Sequence, residues 1–456
     1  MKSRMRRVLL KEVQKTIEKH SMLKGAKKVL IAFSSGPDSV CLLDILNILY
    51  GNKIEFHLIY VNHGLRPQRV LKVEENLTKE YALKYNINYT IINIKVKKKK
   101  NGIEAAAREE RYQRLLHYMK KIDAQRIGLG HNLDDVIETF FMNILRGSGM
   151  RGLKSIPPVR LPFIRPLIDV KKADILRYLK KQKLLYSLDK TNRCLNYRRN
   201  LLRHTIIPKF IKINPLMHKA IKKEIELLHQ DDEYLEILAE RVYKKAVAGK
   251  KNYASLDLKR ILRYNQSIIS RVVMKAIKEL RGDLKGYETK HFDEIIGLKG
   301  KENGKKINLP KGLYAQKECG AIIIGISRIV QPLRVVVKTK GEVSIPSTKV
   351  IRTHITSNFD LKKRSLHCEI FDLRKIEQPL FVRNRMKGDY IKTKIGRKSV
   401  KNVFNEFKVP HYRRDDTMMF CDQKGILWIV GIVRASRGFI DKKTKKILVV
   451  ECEDIN

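Results

Sequence analysis

The residues best suited to chemistry are the six of Ser34-Ser35-Gly36-Pro37-Asp38-Ser39, which directly follow the apolar run 29–33. A short apolar run that ends in Ser, Gly and Pro predicts a buried strand that enters a turn. The residues after the turn are rich in Leu, Ile and Val and predict a mostly buried helix. Small residues between a strand and a helix let backbone N–H groups approach an anion at the positive end of the helix. The serines add hydroxyl donors, and Asp38 adds a carboxylate suited to Mg²⁺.

Four further groups of His, Arg and carboxylate residues follow at the ends of later predicted strands or beside them. They are 61–66 with His63 and Arg66, 104–112 with Arg108 and Arg111, 130–139 with His131, Asp134, Asp135 and Glu138, and 189–203 with Asp189, Tyr197, Arg199, Asn200 and Arg203. Each group alone has an ordinary structural explanation, such as a helix cap at Asp134 and Asp135. Together they converge on one face of one sheet, which favours a shared nucleotide site over an ordinary serine-rich turn.

The elements that must position these groups alternate along the first 190 residues or so. Strands are predicted at 28–33, 54–61, 88–94 and 126–129, and helices at 38–49, 70–84, 104–120 and 134–145. Such alternation predicts an α/β domain with a parallel sheet and helices on both faces. Ligands of such sheets bind beyond the carboxyl ends of the strands, which is where the serine turn lies.

Three domains are predicted along the chain of 456 residues. The α/β catalytic domain spans 1–212, a mostly helical domain spans 213–330, and a small mixed, β-rich domain spans 331–456. The middle is assigned from charged segments with helical apolar spacing, and the last from short β-rich pieces after residue 304.

Charge is the second large signal, because 97 Lys and Arg residues face 47 Asp and Glu residues and give a net charge of +50. An excess of this size favours a polyanionic partner, and nucleic acid is a better match than a membrane surface. No apolar run is long enough to span a membrane, and the basic start has no signal-peptide core. The six cysteines are scattered, without a Cys-x-x-Cys pair, which favours free thiols in a cytoplasmic protein.

The serine turn resembles the Ser-Gly-Gly-x-Asp-Ser pyrophosphate loop of the N-type ATP pyrophosphatases, the PP-loop family, and it lacks the Gly-Lys-Ser/Thr of the Walker loop. Within that family the chain resembles the tRNA(Ile)-lysidine synthases. The resemblance rests on 34–39, 61–66, 104–112, 131–139 and 197–203, and in the C-terminal part on Arg383, Gly388-Asp389, 401–404, Pro410, Arg413 and 428–431. The departures are Ser35 in place of a Gly, Asn132 in place of a frequent His, and Lys387 in place of a Pro. We expect Ser35 to be tolerated if its φ angle is negative.

The resemblance implies an adenine nucleotide alpha hydrolase-like fold and a two-step reaction. ATP adenylates the C2 oxygen of the wobble cytidine in the CAU-anticodon isoleucine tRNA, and free L-lysine then displaces AMP to form lysidine, which changes codon reading from AUG to AUA. Residues 34–39 would bind ATP, Asp38 and Asp135 would hold Mg²⁺, and Arg111 would stabilise the phosphoryl group. His131 and Glu138 would orient lysine or help to remove its proton. The predicted tRNA contacts are His63, Arg66, Arg108, Tyr197, Arg199, Asn200, Arg203, Arg383 and Arg413.

Two alternatives remain open from the sequence. A tRNA thiolase uses the same adenylation loop, although the dispersed cysteines argue against the cysteine chemistry that thiolases need. A basic RNA-binding protein on a degenerate ATP-binding scaffold is the other, and the intact Asp38, Ser39, Asp134 and Asp135 argue against it. The oligomeric state, a homodimer included, is not determined by the sequence.

Overall fold

The structure is a computed structural model that describes residues 2–64, 66–94, 103–188, 198–250, 252–326, 333–345, 349–358 and 364–454. The chain divides into two compact units, Met1–Tyr234 and Leu235–Asn456. Each unit is described by itself below. The three-domain division at residues 212 and 330 stays a prediction.

The first unit contains a six-stranded sheet with the order β3-β2-β1-β4-β6-β5. The strands are β1 (Lys28–Ala32), β2 (Glu55–Asn62), β3 (Asn88–Asn93), β4 (Arg126–Gly128), β5 (Val159–Arg160) and β6 (Phe163–Ile164). All neighbouring pairs are parallel except β5 and β6, which form a small antiparallel hairpin. The predicted parallel sheet is therefore confirmed, and the pair β5–β6 is an addition that the sequence analysis did not predict.

Helices cover both faces of this sheet. They are α1 (Lys2–Lys19), α2 (Pro37–Tyr50), α3 (Gln68–Tyr85), α4 (Ile103–Lys121), α5 (Leu133–Ile144), α6 (Met150–Leu153), α7 (Lys172–Gln182), α8 (Arg198–Leu201) and α9 (Ile207–Ile213), with a π-helical turn at Leu202–Ile206 and α10 (Met217–Ala246) continuing into the second unit. Alternate residues of β1 point to opposite faces. Val29 and Ile31 join the apolar cluster with α1, α2 and α7, whereas Leu30 joins the cluster with α4. This two-sided burial explains why β1 is apolar at every central position.

In the second unit, the helices of the middle segment pack on a five-stranded antiparallel sheet with the order β7-β8-β11-β10-β9. The elements are β7 (Val247–Lys250), β8 (Tyr253–Asp257), α11 (Leu258–Ile261), α12 (Gln266–Arg281), α13 (Thr289–Gly297), β9 (Lys306–Leu309), β10 (Leu313–Glu318) and β11 (Ala321–Ile326). The helical spacing of apolar residues in the sequence predicted α10 and α12. The sequence analysis placed the β-rich segments after residue 304, whereas the first strand of this sheet, β7, already begins at Val247.

The rest of the second unit is built from two sheets around a shared apolar core that contains Trp428. One sheet has the order β12-β16-β19-β20-β17-β18, with β21 paired to β20, and the other has the order β13-β14-β22-β15. The elements are β12 (Arg334–Val337), β13 (Gly341–Ile345), β14 (Lys349–Thr356), β15 (Cys368–Asp372), β16 (Leu380–Asn384), β17 (Tyr390–Thr393), β18 (Gly396–Ser399), α14 (Val400–Glu406), α15 (His411–Arg414), β19 (Met418–Asp422), β20 (Gly425–Ile429), β21 (Val433–Arg434) and β22 (Ile447–Asp454). No helix among the described residues has the length and apolar character to cross a membrane.

Candidate functional site

The serine turn connects β1 to α2 at the carboxyl edge of the first sheet. Gly36 occupies the N-cap position with extended backbone angles (φ −77°, ψ 164°), and Pro37 fits the first helical turn because it lacks an N–H. Ser39 braces the turn, since its Oγ accepts a hydrogen bond from the Ser34 amide at 3.2 Å and donates to the Gly36 carbonyl at 2.9 Å. Among the described residues no side chain caps the N terminus of α2, so the positive end of the helix is available to an anion.

Ser35 does not meet the condition of a negative φ angle under which it should be tolerated, because its φ is +55°. Its side chain is buried, and its Oγ donates to the Glu74 carbonyl of α3 at 2.7 Å. The turn passes through the left-handed region here, where Gly is normally preferred. The hydroxyl bond to α3 offsets part of the cost of this conformation. The Ser35 side chain therefore contacts α3, and its predicted ATP contact is restricted to the backbone.

A cavity of about 170 Å³ lies beside the turn at the carboxyl ends of β1, β2 and β4. Apolar side chains form part of its wall, including Ile59, Val61, Leu115 and Leu129. The polar part of the wall is formed by Ser34, Asp38, Ser39, Arg111, Tyr112 and His131. An apolar wall beside hydroxyl, carboxylate and guanidinium groups suits a molecule with a flat base at one end and phosphates at the other.

Asp38 is held from two sides by residues that the sequence analysis did not assign to the site. Lys172, at the start of α7, places its Nζ 2.6 Å from Oδ2, and Asn132 donates its side-chain amide to Oδ1 at 3.0 Å. Burial raises the pKa of Asp38, and the neighbouring carboxylate of Asp135 adds to this increase. Asn132 could be noticed in the sequence as a departure from the family pattern, whereas Lys172 gave no local signal.

Arg111 lines the cavity, and its charge acts on the ring of His63, which follows β2. Burial lowers the pKa of Arg111, and burial together with the charges of Arg111 and Arg66 lowers the pKa of His63 to about 4. His63 Nδ1 has no hydrogen-bond partner among the described residues. Arg66 forms an ion pair with Glu74, and Arg108 lies over the Tyr112 ring at 5.4 Å. His63 thus lies beside the cavity as a neutral, partly buried ring.

Asp135 and Glu138 bind two arginines, Arg199 and Arg203, of the segment 198–206. Asn132 and Asp135 form a capping box that begins α5. Glu138 is almost fully buried; its carboxylate accepts hydrogen bonds from Arg199 Nε at 2.7 Å and from Arg203 Nε at 2.5 Å. Asp135 Oδ1 accepts from Arg199 Nη2 at 2.8 Å. The structure therefore brings together two predicted catalytic carboxylates and two predicted tRNA contacts in one cluster.

Arg165 is a further residue that the sequence analysis missed. It follows β6, the strand that was not predicted, and its Nε lies 3.3 Å from Nδ1 of His131. Its side chain is only 5 % exposed. The punctuating prolines 157, 158, 162 and 166 marked this stretch as irregular, and a strand of two residues is too short to give a periodic signal.

The remaining predicted sites lie elsewhere. Tyr197, the 189–192 group and the Glu104 side chain lie outside the described residues. Asn200 lies on α8 beside Arg199. In the second unit Arg383 forms a bidentate ion pair with Asp389, with both distances 2.8 Å and both side chains 12 % exposed. Arg413 lies on α15 and is exposed. Arg383 is thus held by an ion pair within its own unit.

Asp38 and Asp135 suit Mg²⁺ by their chemistry. No three His, Cys, Asp or Glu side chains within the described ranges could hold a metal ion on their own. Magnesium, however, usually binds through one or two carboxylates together with phosphate oxygens and water. Asn132 contacts both carboxylates, because its side-chain amide donates to Asp38 Oδ1 at 3.0 Å and its backbone amide donates to Asp135 Oδ2 at 3.1 Å. The donor set therefore fits an ion that a triphosphate helps to hold.

Comparison with known proteins agrees with this site. Residues 5–210 match the sequence profile of the PP-loop domain, and residues 380–452 match that of the TilS substrate C-terminal domain. The tRNA(Ile)-lysidine synthase of Clostridium perfringens is 33% identical over 96% of this chain and 98% of its own length. The enzymes of that name from Clostridium acetobutylicum, 31% identical over 98% and 99%, and from Caldanaerobacter subterraneus, 29% identical over 97% and 97%, match equally fully. With similarity that extends from the phosphate turn to the last sheet, this chain belongs to the tRNA(Ile)-lysidine synthase family.

Proposed function

We propose that this enzyme attaches lysine to C2 of the wobble cytidine in the isoleucine tRNA with a CAU anticodon. ATP adenylates the C2 oxygen and releases pyrophosphate, and the ε-amine of lysine then attacks C2 and displaces AMP. The observation that carries the proposal is the cavity, which joins the phosphate turn, Asp38 and Arg111 at one sheet edge in a member of this family. The product, lysidine, changes codon reading from AUG to AUA.

The turn and its neighbours account for the adenylation step. The positive end of α2 and the hydroxyls of Ser34 and Ser39 suit the phosphates. Asp38 and Asp135 would hold Mg²⁺, which when bound neutralises charge on the triphosphate. Arg111 is half-buried and cationic and lines the cavity, so it is suited to stabilise negative charge that develops on the transferred phosphoryl group.

The lysine step requires a neutral amine, although a free lysine side chain titrates near a pKa of about 10.4. The carboxylates of Asp135 and Glu138 are the acidic groups nearest to the arginines of 198–206. Because two guanidinium groups already neutralise Glu138, it is better suited to anchor this segment than to take a proton. The same two guanidinium groups also reach Oδ1 of Asp135, at 2.8 and 3.4 Å, and the Asn132 amide donates to its Oδ2 at 3.1 Å. We therefore assign Asp135 to Mg²⁺ and to the anchoring of this segment rather than to proton removal.

Binding of the tRNA is assigned to the basic surface of the whole chain, including Arg66, Arg108, Asn200 and Arg413. The parts from residue 213 onward, for which two domains are predicted, are proposed to hold the tRNA body. A net charge of +50 predicts a steep loss of affinity with salt, with a log–log slope of several units. A single-stranded wobble base can be turned out and recognised on its edges. We propose that the reaction takes place in the cytoplasm; sedimentation will distinguish a monomer from a homodimer.

The decisive experiment is mass spectrometry of the tRNA after incubation with ATP and lysine. We expect a mass increase that corresponds to lysidine, which is abolished when the wobble C is changed to U. Ornithine, one methylene shorter, should react far more slowly because its amine does not reach C2. Sulfur incorporation would instead indicate a thiolase, and no product would indicate a binding protein.

The structure offers little support for the thiolase alternative. Cys41, Cys368, Cys421 and Cys452 are buried as free thiols, and Cys319 is exposed. Cys194 lies outside the described residues. Within the described part of the chain no cysteines gather into a group that could hold an iron–sulfur centre.

A further inference from the structure

His131 and Arg165 are brought together by two neighbouring parallel strands. β4 and β6 are paired through Gly128 and Ile164, and the Leu129 amide donates to the Ile164 carbonyl at 2.9 Å. The chain therefore leaves both strands side by side, with His131 three residues after β4 and Arg165 directly after β6. The position of Arg165 beside the imidazole is a consequence of the sheet and does not depend on a flexible loop.

Two nitrogens of the Arg165 guanidinium, Nε and Nη1, are held by hydrogen bonds. Its Nε donates to His131 Nδ1 at 3.3 Å, and its Nη1 donates to the Pro157 carbonyl at 2.8 Å. The Arg165 amide is also fixed by a hydrogen bond to the Pro158 carbonyl at 3.0 Å. Because its side chain is buried, it cannot exchange these partners for water without a large cost.

This contact determines which ring nitrogen of His131 carries the proton. Arginine stays protonated in proteins and has no acceptor, so Nδ1 must be the acceptor in the pair. A neutral imidazole has a single N–H, which must then be on Nε2, at the opposite edge of the ring. Burial, with the charges of Arg165, Arg108 and Arg199, lowers the pKa of His131 to about 4, although Asp135 acts to raise it. The ring is therefore neutral near pH 7.

We propose that Arg165 is a positioning residue that fixes His131 as an Nε2–H donor, so that His131 donates a hydrogen bond to a phosphoryl oxygen in the cavity. The identity of the ligand, a phosphoryl group, rests on the proposed function. The tautomer of His131 is argued from the contact with Arg165 and is independent of that function. His131 lines the cavity together with Ser34, Asp38 and Ser39, where phosphate oxygens are expected. No proton is transferred in this role, and His131 is not the group that deprotonates lysine.

The tautomer can be measured directly by nitrogen NMR of the full-length protein labelled at histidine. The signals of His131 are identified among the 12 histidines as those that disappear in His131→Gln. We expect a protonated Nε2 and an unprotonated Nδ1 near neutral pH. Arg165→Gln should produce a mixture of tautomers, whereas Arg160→Gln, which changes an exposed arginine on β5, should leave the tautomer unchanged. A protonated Nδ1 in the wild type, or an unchanged tautomer in Arg165→Gln, would overturn the assignment.

Kinetics test the donor role separately. The side-chain amide of Gln can donate from nearly the position of Nε2, whereas that of Asn reaches only the position of Nδ1. We therefore expect His131→Gln to retain more tRNA-dependent pyrophosphate exchange than His131→Asn, and both to transfer lysine normally once the adenylate is formed. Loss of only the lysine step in His131→Gln would assign the ring as a base and refute the proposal. Absence of pyrophosphate exchange in the wild type would instead refute the proposed function and leave the tautomer to be judged by NMR.

Discussion

Gly130 and Asp38 approach each other so closely that a Cβ atom built on Gly130 would lie 3.2 Å from the Cβ of Asp38 and 3.1 Å from its carbonyl carbon. Both atoms belong to the start of α2, so they cannot swing away as the end of a long side chain could. Gly130 lies two residues after β4, and its lack of a side chain leaves Asp38 where Lys172 and Asn132 hold it.

Gly130→Ala should fold and yet lose activity. The Asp38 backbone must shift by a few tenths of an ångström, and since a displacement of 1 Å costs about 10²-fold in rate, we expect a roughly tenfold loss of adenylation. Pyrophosphate release with saturating tRNA measures it. Gly297→Ala, at a helical glycine with no atom within 4 Å of the added Cβ, serves as the control. Equal activities of the two variants would mean that Asp38 does not need this position.

Asp38→Asn should abolish adenylation with little effect on tRNA affinity. If Asp38 holds Mg²⁺ as proposed, loss of its carboxylate removes several kcal/mol of charge stabilisation, which corresponds to about 10²–10³-fold in rate. Pyrophosphate release and filter binding of labelled tRNA report the two quantities separately. An ordinary rate of pyrophosphate release in the folded variant would remove Asp38 from the reaction.

Glu138→Gln should release the arginine segment 198–206 from α5. Removing the carboxylate leaves Arg199 and Arg203 beside a neutral amide. Because these arginines are 40% and 35% exposed and keep Asp135 as a partner, we expect a loss of about 1.5–3 kcal/mol, as for hydrogen bonds to a charged group. Hydrogen exchange of peptides from 198–206 should therefore become faster, and the KM for tRNA should rise. The exposed pair of Glu110 and Arg114 offers a matched control, because Glu110→Gln should change stability by less than about 1 kcal/mol. Unchanged exchange combined with a pure loss of kcat would instead favour Glu138 as the base.

A fall in pH below about 6.5 should destabilise the first unit through two of its histidines. His63 and His131 have pKa values of about 4 in the folded state, against 6.5 ordinarily. Between these values the unfolded chain binds more protons than the folded chain, so folding becomes less favourable as the pH falls from about 6.5 toward 4. For the buried His131 the loss near pH 5.5 is on the order of 1 kcal/mol. Hydrogen exchange of amides in β1 and β4, followed as a function of pH, measures this loss of stability. His131→Gln should make the stability depend less steeply on pH, and an equally steep dependence in that variant would show that His131 is not its cause.

Arg383→Gln should lower the stability of the C-terminal sheets more than it affects RNA contacts directly. Burial alone would raise the pKa of Asp389, but the hydrogen bonds from Arg383 and the Met386 amide together lower it, so the pair is ionised in the fold. Breaking it should cost about 3 kcal/mol. Urea unfolding followed by the fluorescence of Trp428, the one tryptophan of the chain, reports on this region. Arg413 is exposed, so Arg413→Gln should weaken tRNA binding and change the unfolding midpoint less than Arg383→Gln does. A larger loss of stability in Arg413→Gln, with a larger loss of tRNA binding in Arg383→Gln, would contradict the roles given to these two arginines.

The sequence predicted the helices and strands that have a regular apolar periodicity and missed those that are too short or too irregular to show one. Strands β1 to β4 and helices α2 to α5 were predicted within a few residues because their apolar periodicity extends over several turns or pleats. β5 and β6 have two residues each, and α1 was not predicted. Their positions are determined by tertiary packing, which a local pattern does not contain.

The same limit applies to the site. Asp38, Arg111 and His131 were predicted from motifs at strand ends, and they line one cavity. Lys172, Arg165 and the buried hydroxyl of Ser35 contact partners 134, 34 and 39 residues away in the chain. Which arginine meets which carboxylate is a property of the assembled sheet, so Arg383 and Glu138 could be recognised in the sequence without their ion pairs.

The last described strand, β22, lies between β14 and β15 at the centre of its sheet. During synthesis this sheet cannot close until residues 447–454 have emerged from the ribosome, whereas the residues of the first unit emerge more than two hundred positions earlier. A message cut short before Ile447 would thus yield a chain with a complete ATP-binding half and an open sheet with unpaired edges on β14 and β15. Such edges favour aggregation, so truncated products should be removed by cellular quality control rather than persist as a partial enzyme.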